Sequence, residues 1–245
     1  MPQEIYVTPP IASEDWVYER LKPVLNAGQH DFSLDADRSD GTVLVQVDGL
    51  SGEPVRVDLR DDQNDGAWNN LLDACGLTLG TTVPKWLQAR DSMLGAIGAA
   101  RSVHLLVRGQ AAWRPLIEDV QRHHPDLARI DLRNLLEASD QGLVRAILRA
   151  RTASQRAASQ HRTDEIPVLG ALDLLADEPR RSLTRLAVTS LDAVTESFDF
   201  DLNTALKALS DATDELQLVV QSQRPLMELV PDGKLADVAF EVVEL

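Results

Sequence analysis

The chain has 245 residues, of which 44% are hydrophobic and 26% are charged, a composition typical of a globular protein with one or two domains. Its apolar runs are shorter than the roughly 18 residues of a membrane-spanning helix, and its first residues lack the pattern of a secretory signal. A single cysteine, Cys75, excludes an intramolecular disulfide and a cysteine-clustered metal site. We therefore expect a cytoplasmic protein with no membrane contact, no bound metal and no other cofactor.

Charge is distributed unevenly along the chain, whose net charge is −15. Residues 1–66 hold 14 acidic and 5 basic side chains, and residues 190–245 hold 12 and 3. Residues 67–189 hold 13 and 16, so two acidic ends flank a mildly basic centre. Attraction to phosphate dominates general binding to nucleic acid. Nucleic acid is therefore a partner that the basic centre allows but that the whole chain does not favour.

The first 66 residues are rich in predicted β-structure. Residues 4–8 form a short strand that two prolines end, and Ser13 caps the helix that follows. The stretches 42–48 and 54–60 alternate apolar and polar residues, with two glycines between them. This arrangement predicts a β-hairpin with one face exposed to solvent.

The hydrophobic period becomes helical at Ala67. Apolar residues three and four apart predict helices over 67–75 and 85–99. They are followed by a strand at 103–107, a helix at 113–123 and a strand at 127–132. A strand, a helix and a strand with short joins form a βαβ unit, whose strands we expect to be parallel.

The C-terminal part is predicted to be mainly helical, at 140–160, 170–176, 179–197 and 201–222. A final hairpin is predicted from 226–230 and 238–243, on either side of a Pro-Asp-Gly turn. The fold class is thus α/β or α+β, with a β-rich N-terminal part, a central βαβ unit and a mainly helical C-terminal half. We place a mixed α/β domain at 1–160 and a mainly helical region, ending in the hairpin, at 161–245.

The turn after strand 103–107 is the first candidate site. Its residues Arg108, Gly109 and Gln110 lie where many α/β proteins bind a phosphate group. The dinucleotide fingerprint has three glycines at this place, whereas this turn has one, and the chain contains no G-x-x-x-x-G-K-S/T motif. The turn is therefore a candidate for ligand contact, with a simple strand-to-helix turn as the alternative.

The segment "VHLLVRGQAAWRPLIEDV", followed by "SDQGLVRAILRA" at 139–150, is similar in layout and spacing to part of the actin and Hsp70 ATPase fold. In that fold a strand, a glycine-rich turn and a proline-containing helix start are followed about thirty residues later by a helix. The resemblance covers about 50 residues and implies a degenerate nucleotide-binding domain. We keep that function as an alternative.

Other residue types that could carry chemistry have simpler structural explanations. The aspartate clusters at 61–65 and 35–40 resemble the start of a calcium loop, but Leu72 and Gln46 stand where a closing glutamate is needed. Adjacent His123 and His124 point about 100° apart on a helix and cannot easily chelate one ion. Cys75 is predicted to be buried at a helix end. We therefore predict no catalytic residue and no metal ligand, and we do not expect an enzyme.

The last candidate is the basic helix at 143–162, which contains five arginines and no acidic residue. Arg145, Arg149 and Arg156 fall on one side, opposite the apolar residues. This arginine ridge is interpreted either as a solvated face or as a surface that docks a partner or a polyanion.

The function expected from these observations is a non-catalytic interaction or regulatory subunit of a cytoplasmic, bacterial multiprotein assembly, with a protein partner. The first alternative is the degenerate actin- or Hsp70-like, or other α/β, nucleotide-binding domain. The second alternative is a nucleic-acid-associated protein that uses the arginine ridge.

Overall fold

The computed structural model describes residues 2–28, 30–131, 185–192, 217–229 and 239–245. These residues form two β-sheets and several helices, so the predicted mixed α/β class is confirmed. The chain divides into two compact units. The first comprises Met1–Leu94, Gly109–His123 and Leu245, and the second comprises Gly95–Arg108 and His124–Glu244.

The first unit contains a four-stranded sheet. Its strands are β1 (Gln3–Thr8), β2 (Phe32–Asp35), β3 (Val43–Val47) and β4 (Val55–Asp58). Their order is β2-β3-β1-β4, in which β1 is antiparallel to β3 and parallel to β4. Buried and more exposed residues alternate along β1 and β3, so the predicted solvent-facing side of the sheet is confirmed.

The predicted hairpin of β3 and β4 is wrong, because β1 lies between these two strands. Ile5 is opposite Val45 on one side and Val55 on the other. The loop from β3 to β4 passes the start of β1, where the side-chain amide of Gln3 donates to the backbone carbonyl of Glu53 at 2.8 Å. The sequence pattern predicts β1, β3 and β4 but not β2, and alternation carries no information about which strands are neighbours.

Helices of the first unit follow the predicted positions. They are α1 (Glu14–Trp16), a π-helical turn (Val17–Leu21), α2 (Lys22–Asn26), α3 (Asp65–Ala74) and α5 (Trp113–His123). Helix α4 (Val83–Gly98) begins in this unit and ends in the second. The hydroxyl of Ser13 accepts a hydrogen bond from the N–H of Trp16, so the predicted cap is confirmed. Trp68 and Trp86 are fully buried in the core.

A buried ion pair joins two of these helices. Arg90 on α4 is 1% exposed and Asp119 on α5 is 3% exposed, and Arg90 Nε lies 2.6 Å from Asp119 Oδ2. Arg90 also donates to the carbonyl of Glu19, to Asp91 and to a ring nitrogen of His123. The guanidinium thus ties the first helical segment to α4 and α5.

The second unit contains a five-stranded parallel sheet. Its strands are β5 (Ser102–Leu106), β6 (Leu127–Asp131), β7 (Arg185–Thr189), β8 (Gln217–Ser222) and β9 (Phe240–Glu244). Their order is β6-β7-β8-β5-β9, and every pairing is parallel. The predicted parallel relation of β5 and β6 is confirmed, although two other strands lie between them.

Two helix predictions in the C-terminal part are wrong within the described residues. Arg185–Thr189 and Gln217–Ser222 are strands, not parts of the helices expected at 179–197 and 201–222. Both strands are buried on both faces, so their apolar residues form a continuous run instead of an alternating one. Such a run cannot be distinguished from a buried helix by its period.

The predicted final hairpin is also wrong. Leu226–Leu229 is a short helix, α6, and β9 pairs in parallel with β5. The proposed domain boundary at 160/161 lies outside the described residues, and strands of the second sheet come from both sides of it. Among the helices of the described ranges, none combines the length and apolar character needed to cross a membrane.

Candidate functional site

The predicted ligand turn is placed between β5 and α5. Arg108 pairs with Glu244 at 3.2 Å, and both side chains are exposed. Gly109 has a φ of +73°, a left-handed conformation that favours glycine, and a Cβ there would meet no atom within 4 Å. The glycine therefore serves the change of direction from strand to helix.

Two backbone N–H groups after Gly109 already have acceptors in the first unit. The N–H of Ala112 donates to the carbonyl of Leu79 at 2.7 Å, and that of Trp113 donates to Ala111 at 2.9 Å. The carbonyl of Ala112 accepts from the indole of Trp86. An anion at a helix start needs such N–H groups to be available. The geometry therefore favours the structural interpretation of the end of this turn, at Ala112 and Trp113, and leaves the ligand interpretation of Gln110 a prediction.

The other sequence candidates fall into two groups. Arg145, Arg149 and Arg156 lie outside the described residues, so the arginine ridge stays a prediction. The aspartates of the calcium-like clusters accept hydrogen bonds from nearby backbone N–H groups, as in ordinary turns. Cys75 is buried at the end of α3, as predicted, and burial raises the pKa of its thiol to about 12. A thiol with so high a pKa is a poor nucleophile at neutral pH.

Polar side chains gather at the carboxyl ends of β7 and β8, beside β5. We call them the carboxyl-edge cluster: His104, Ser190, Asp192, Gln221, Ser222 and Arg224. The strand order of the sheet reverses between β8 and β5. Open α/β sheets bind ligands outside the carboxyl ends of their strands at such a reversal. This cluster is therefore the candidate site of the second unit.

A hydrogen-bonded chain links β5 to the end of β8. A ring nitrogen of His104, Nε2, lies 2.7 Å from the hydroxyl of Ser222, and that hydroxyl donates to the carbonyl of Arg224 at 2.6 Å. Because a carbonyl can only accept, the single proton of the Ser222 hydroxyl forms the hydrogen bond to the carbonyl of Arg224. His104 Nε2 must then be the donor to Ser222 Oγ. This arrangement is opposite to that of a serine nucleophile activated by a histidine base.

Burial lowers the pKa of His104 below its usual value of 6.5, and the nearby charge of Asp192 partly opposes this shift. The unfolded chain therefore binds a proton at this histidine more readily than the folded protein does. Neutral His104 makes its full contribution to the free energy of unfolding above the pKa that this histidine has in the unfolded chain. That contribution is lost as the pH falls through the lower pKa that it has in the folded protein.

We expect the free energy of unfolding of the wild type to fall more between pH 7.5 and about pH 5 than that of His104→Gln. Glutamine can still donate a hydrogen bond to Ser222 but does not titrate. Urea unfolding followed by circular dichroism at both pH values measures the difference. Equal losses in the two proteins would contradict this assignment.

Ser190 follows β7 directly and has an unusual backbone. Its φ is +60°, a left-handed conformation that costs a residue other than glycine roughly 1–2 kcal/mol. Its N–H donates to the side chain of Gln221 at 2.8 Å. Its hydroxyl is buried and has no hydrogen-bond partner among the residues that the structure describes. A strained backbone and an unsatisfied buried hydroxyl at one residue are features that cluster at functional sites.

The first unit presents a different candidate, on the solvent-facing side of its sheet. Tyr6 lies on the central strand β1, and the guanidinium groups of Arg38 and Arg56 each lie 5.2 Å from the centre of its ring. The hydroxyl of Tyr6 donates to Glu4 at 3.0 Å, which fixes the ring further. We call Tyr6, Arg38 and Arg56 the tyrosine–arginine surface.

Neither candidate was identified from the sequence. Ser222 and Asp192 follow apolar runs that have the sequence pattern of buried helices. The β-branched valines of β8 are the signal in the sequence that favours a strand instead. Arg38 and Arg56 reach Tyr6 from a loop and from β4, and no local spacing connects them. Compared with known proteins, the sequence matches no family model and no curated protein.

Proposed function

We propose that this protein is a non-catalytic interaction or regulatory protein, a subunit of a cytoplasmic bacterial assembly, and that the tyrosine–arginine surface binds its protein partner. The observation that carries the proposal is the position of Tyr6 between two arginines on the open side of the sheet. Tyrosine and arginine are among the residues that contribute most binding energy at protein interfaces.

Tyr6 is held in place by its own unit. Its backbone is paired on both sides, opposite Leu44 on β3 and Arg56 on β4, and its hydroxyl donates to Glu4. A side chain that is already fixed loses little conformational entropy on binding, so more of its contact energy contributes to affinity. The guanidinium of Arg56 is exposed and can form bidentate bonds with a carboxylate of the partner.

The state of the nucleophilic groups is in keeping with a non-catalytic role. The proton of Ser222 is used by a backbone carbonyl, and the thiol of Cys75 is held in its protonated form by burial. Both side chains therefore support the packing of their own unit instead of attacking a substrate.

The test compares Tyr6→Thr and Arg56→Gln with Lys85→Gln, which removes one exposed positive charge from α4. Each tagged protein is purified from its native host after crosslinking, and the proteins that come with it are quantified by mass spectrometry. We expect a partner that is recovered with the wild type and Lys85→Gln but reduced about tenfold or more with Tyr6→Thr. Recovery of the same proteins with all four would contradict the proposal, provided that melting temperatures are unchanged.

A second candidate function, binding of a nucleotide by an α/β domain, is favoured by the strand order of the second sheet. The reversal between β8 and β5 marks the place where such sheets accept ligands, and Arg224 supplies a positive charge there. A nucleotide that binds only the folded protein raises its melting temperature. Thermal shifts with ATP and GTP, with and without Mg²⁺, test this function directly.

A further inference from the structure

The carboxylate of Asp192 is held in the way that proteins hold a bound anion. Its Oδ2 accepts the backbone N–H of Gln223 at 2.5 Å, and its Oδ1 lies 3.3 Å from Nε of Arg224. A backbone N–H next to a guanidinium is a donor set that suits carboxylate and phosphate groups alike. Asp192 is mostly buried there, whereas Arg224 is partly exposed.

The backbone of this bend is positioned by bonds that do not involve Asp192. The carbonyl of Arg224 accepts the hydroxyl of Ser222, which in turn is bonded to His104. The carbonyl of Ser222 accepts the N–H of Val107 at 2.9 Å. The backbone of the bend at residues 223–224 is therefore fixed on β8 and β5, and the N–H of Gln223 would keep its position if the carboxylate were removed.

Asp192 reaches this bend over a strained stretch of chain. Ser190, two residues earlier, has the left-handed backbone, and Gln221 holds its N–H. Among the described residues the buried hydroxyl of Ser190 has no hydrogen-bond partner, and it lies two residues before the carboxylate in sequence. A buried polar group that is left unsatisfied is unusual in a folded protein and marks this edge of the sheet as a candidate binding site.

We propose that the bend after β8 is a binding site for a phosphate group and that the carboxylate of Asp192 occupies this site when the ligand is absent. Arg224 and the N–H of Gln223 bind the phosphate, and Asp192 leaves when it arrives. The inference shares with the second candidate function, on which it rests, only the location of the site. The proposed site binds a phosphate group and does not require a nucleoside. It is independent of the tyrosine–arginine surface.

The experiment measures binding of inorganic phosphate by calorimetry to the full chain and to three variants. Asp192→Ala removes the competing carboxylate, so its dissociation constant should be lower than that of the wild type by about tenfold or more. Adding Arg224→Gln to Asp192→Ala should abolish the gain. An unchanged dissociation constant in Asp192→Ala, or a gain that survives Arg224→Gln, would overturn the proposal.

Asp126→Ala is the matched control. It also removes a carboxylate from an arginine of the second unit, Arg185, with which Asp126 forms an ion pair at 3.0 Å. That pair lies at the amino end of the sheet, so Asp126→Ala should gain no phosphate affinity. An equal gain of phosphate affinity in Asp126→Ala would show that removing a carboxylate from any arginine is enough to bind phosphate, and would overturn the proposed site. If Asp192→Ala is misfolded by circular dichroism, Asp192→Asn replaces it, with a smaller gain expected in the same direction.

A parallel titration with ATP separates this inference from the second candidate function. Binding of phosphate without tighter binding of ATP would support the phosphate site and contradict the nucleotide function. Binding of ATP that is unaffected by Asp192→Ala and by Arg224→Gln would support a nucleotide function and overturn the phosphate site at this bend.

Discussion

Replacing Asp119 by alanine is expected to lower the free energy of unfolding by about 3–5 kcal/mol. Asp119 is the closest acidic partner of Arg90, at 2.6 Å, and the guanidinium is 1% exposed. Without Asp119 the positive charge stays buried, and its acidic neighbours among the described residues are then Asp91 and the more distant Glu19. Urea unfolding of the wild type and Asp119→Ala, followed by circular dichroism, measures the loss.

Two variants control this experiment. The double variant Arg90→Met/Asp119→Leu removes both charges, so it should lose much less stability than Asp119→Ala. Asp126→Ala breaks an exposed ion pair with Arg185 and should cost only about 0–1 kcal/mol. If Asp119→Ala were as stable as Asp126→Ala, the buried pair would not be holding α4 and α5 together.

Replacing Gly80 by alanine is expected to lower the free energy of unfolding by roughly 2–4 kcal/mol, because two unfavourable effects add. Gly80 has a φ of +70°, and a Cβ there would lie 2.5 Å from the backbone carbonyl oxygen of Gln110. The two segments cannot separate freely, because Leu79 accepts the N–H of Ala112. The change in urea midpoint between wild type and Gly80→Ala gives the cost.

Gly49→Ala separates the two effects. Gly49 also has a positive φ, of +80°, but a Cβ there would meet no atom within 4 Å. The free energy of unfolding of Gly49→Ala should therefore fall only by the cost of the backbone conformation, about 1–2 kcal/mol. Equal losses in the two variants would mean that the contact between Gly80 and Gln110 is not tight, and that the turn after β5 is less covered than the structure indicates.

The sequence by itself determined the elements whose pattern is local. Alternation of apolar and polar residues predicted the buried face of β3, the helical period predicted α5, and a short apolar run predicted the buried strand β5. Ser13 caps its helix because a hydroxyl before a helix start can reach the first free N–H groups. Cys75 lies at a buried helix end as expected. Such features depend on neighbours within a few residues.

Only the tertiary structure decided which strands are neighbours. Strand β1 lies between β3 and β4, and β7 and β8 lie between β6 and β5, although neither insertion leaves a mark in the strand sequences themselves. The sequence predicts helices where β7 and β8 lie, because burial on both faces removes the alternation that identifies a strand.

Both candidate sites depend on those pairings. Ser222 meets His104 only because β8 pairs with β5, and Arg56 meets Tyr6 only because β4 pairs with β1. The ion pair of Arg90 and Asp119 likewise joins residues on separate helices. A side chain's local sequence sets its chemical type and its face, whereas its partner across the fold is set by the packing of whole elements. For this protein the sequence determined the elements with a local pattern, and the packing of whole elements determined the buried strands and the sites.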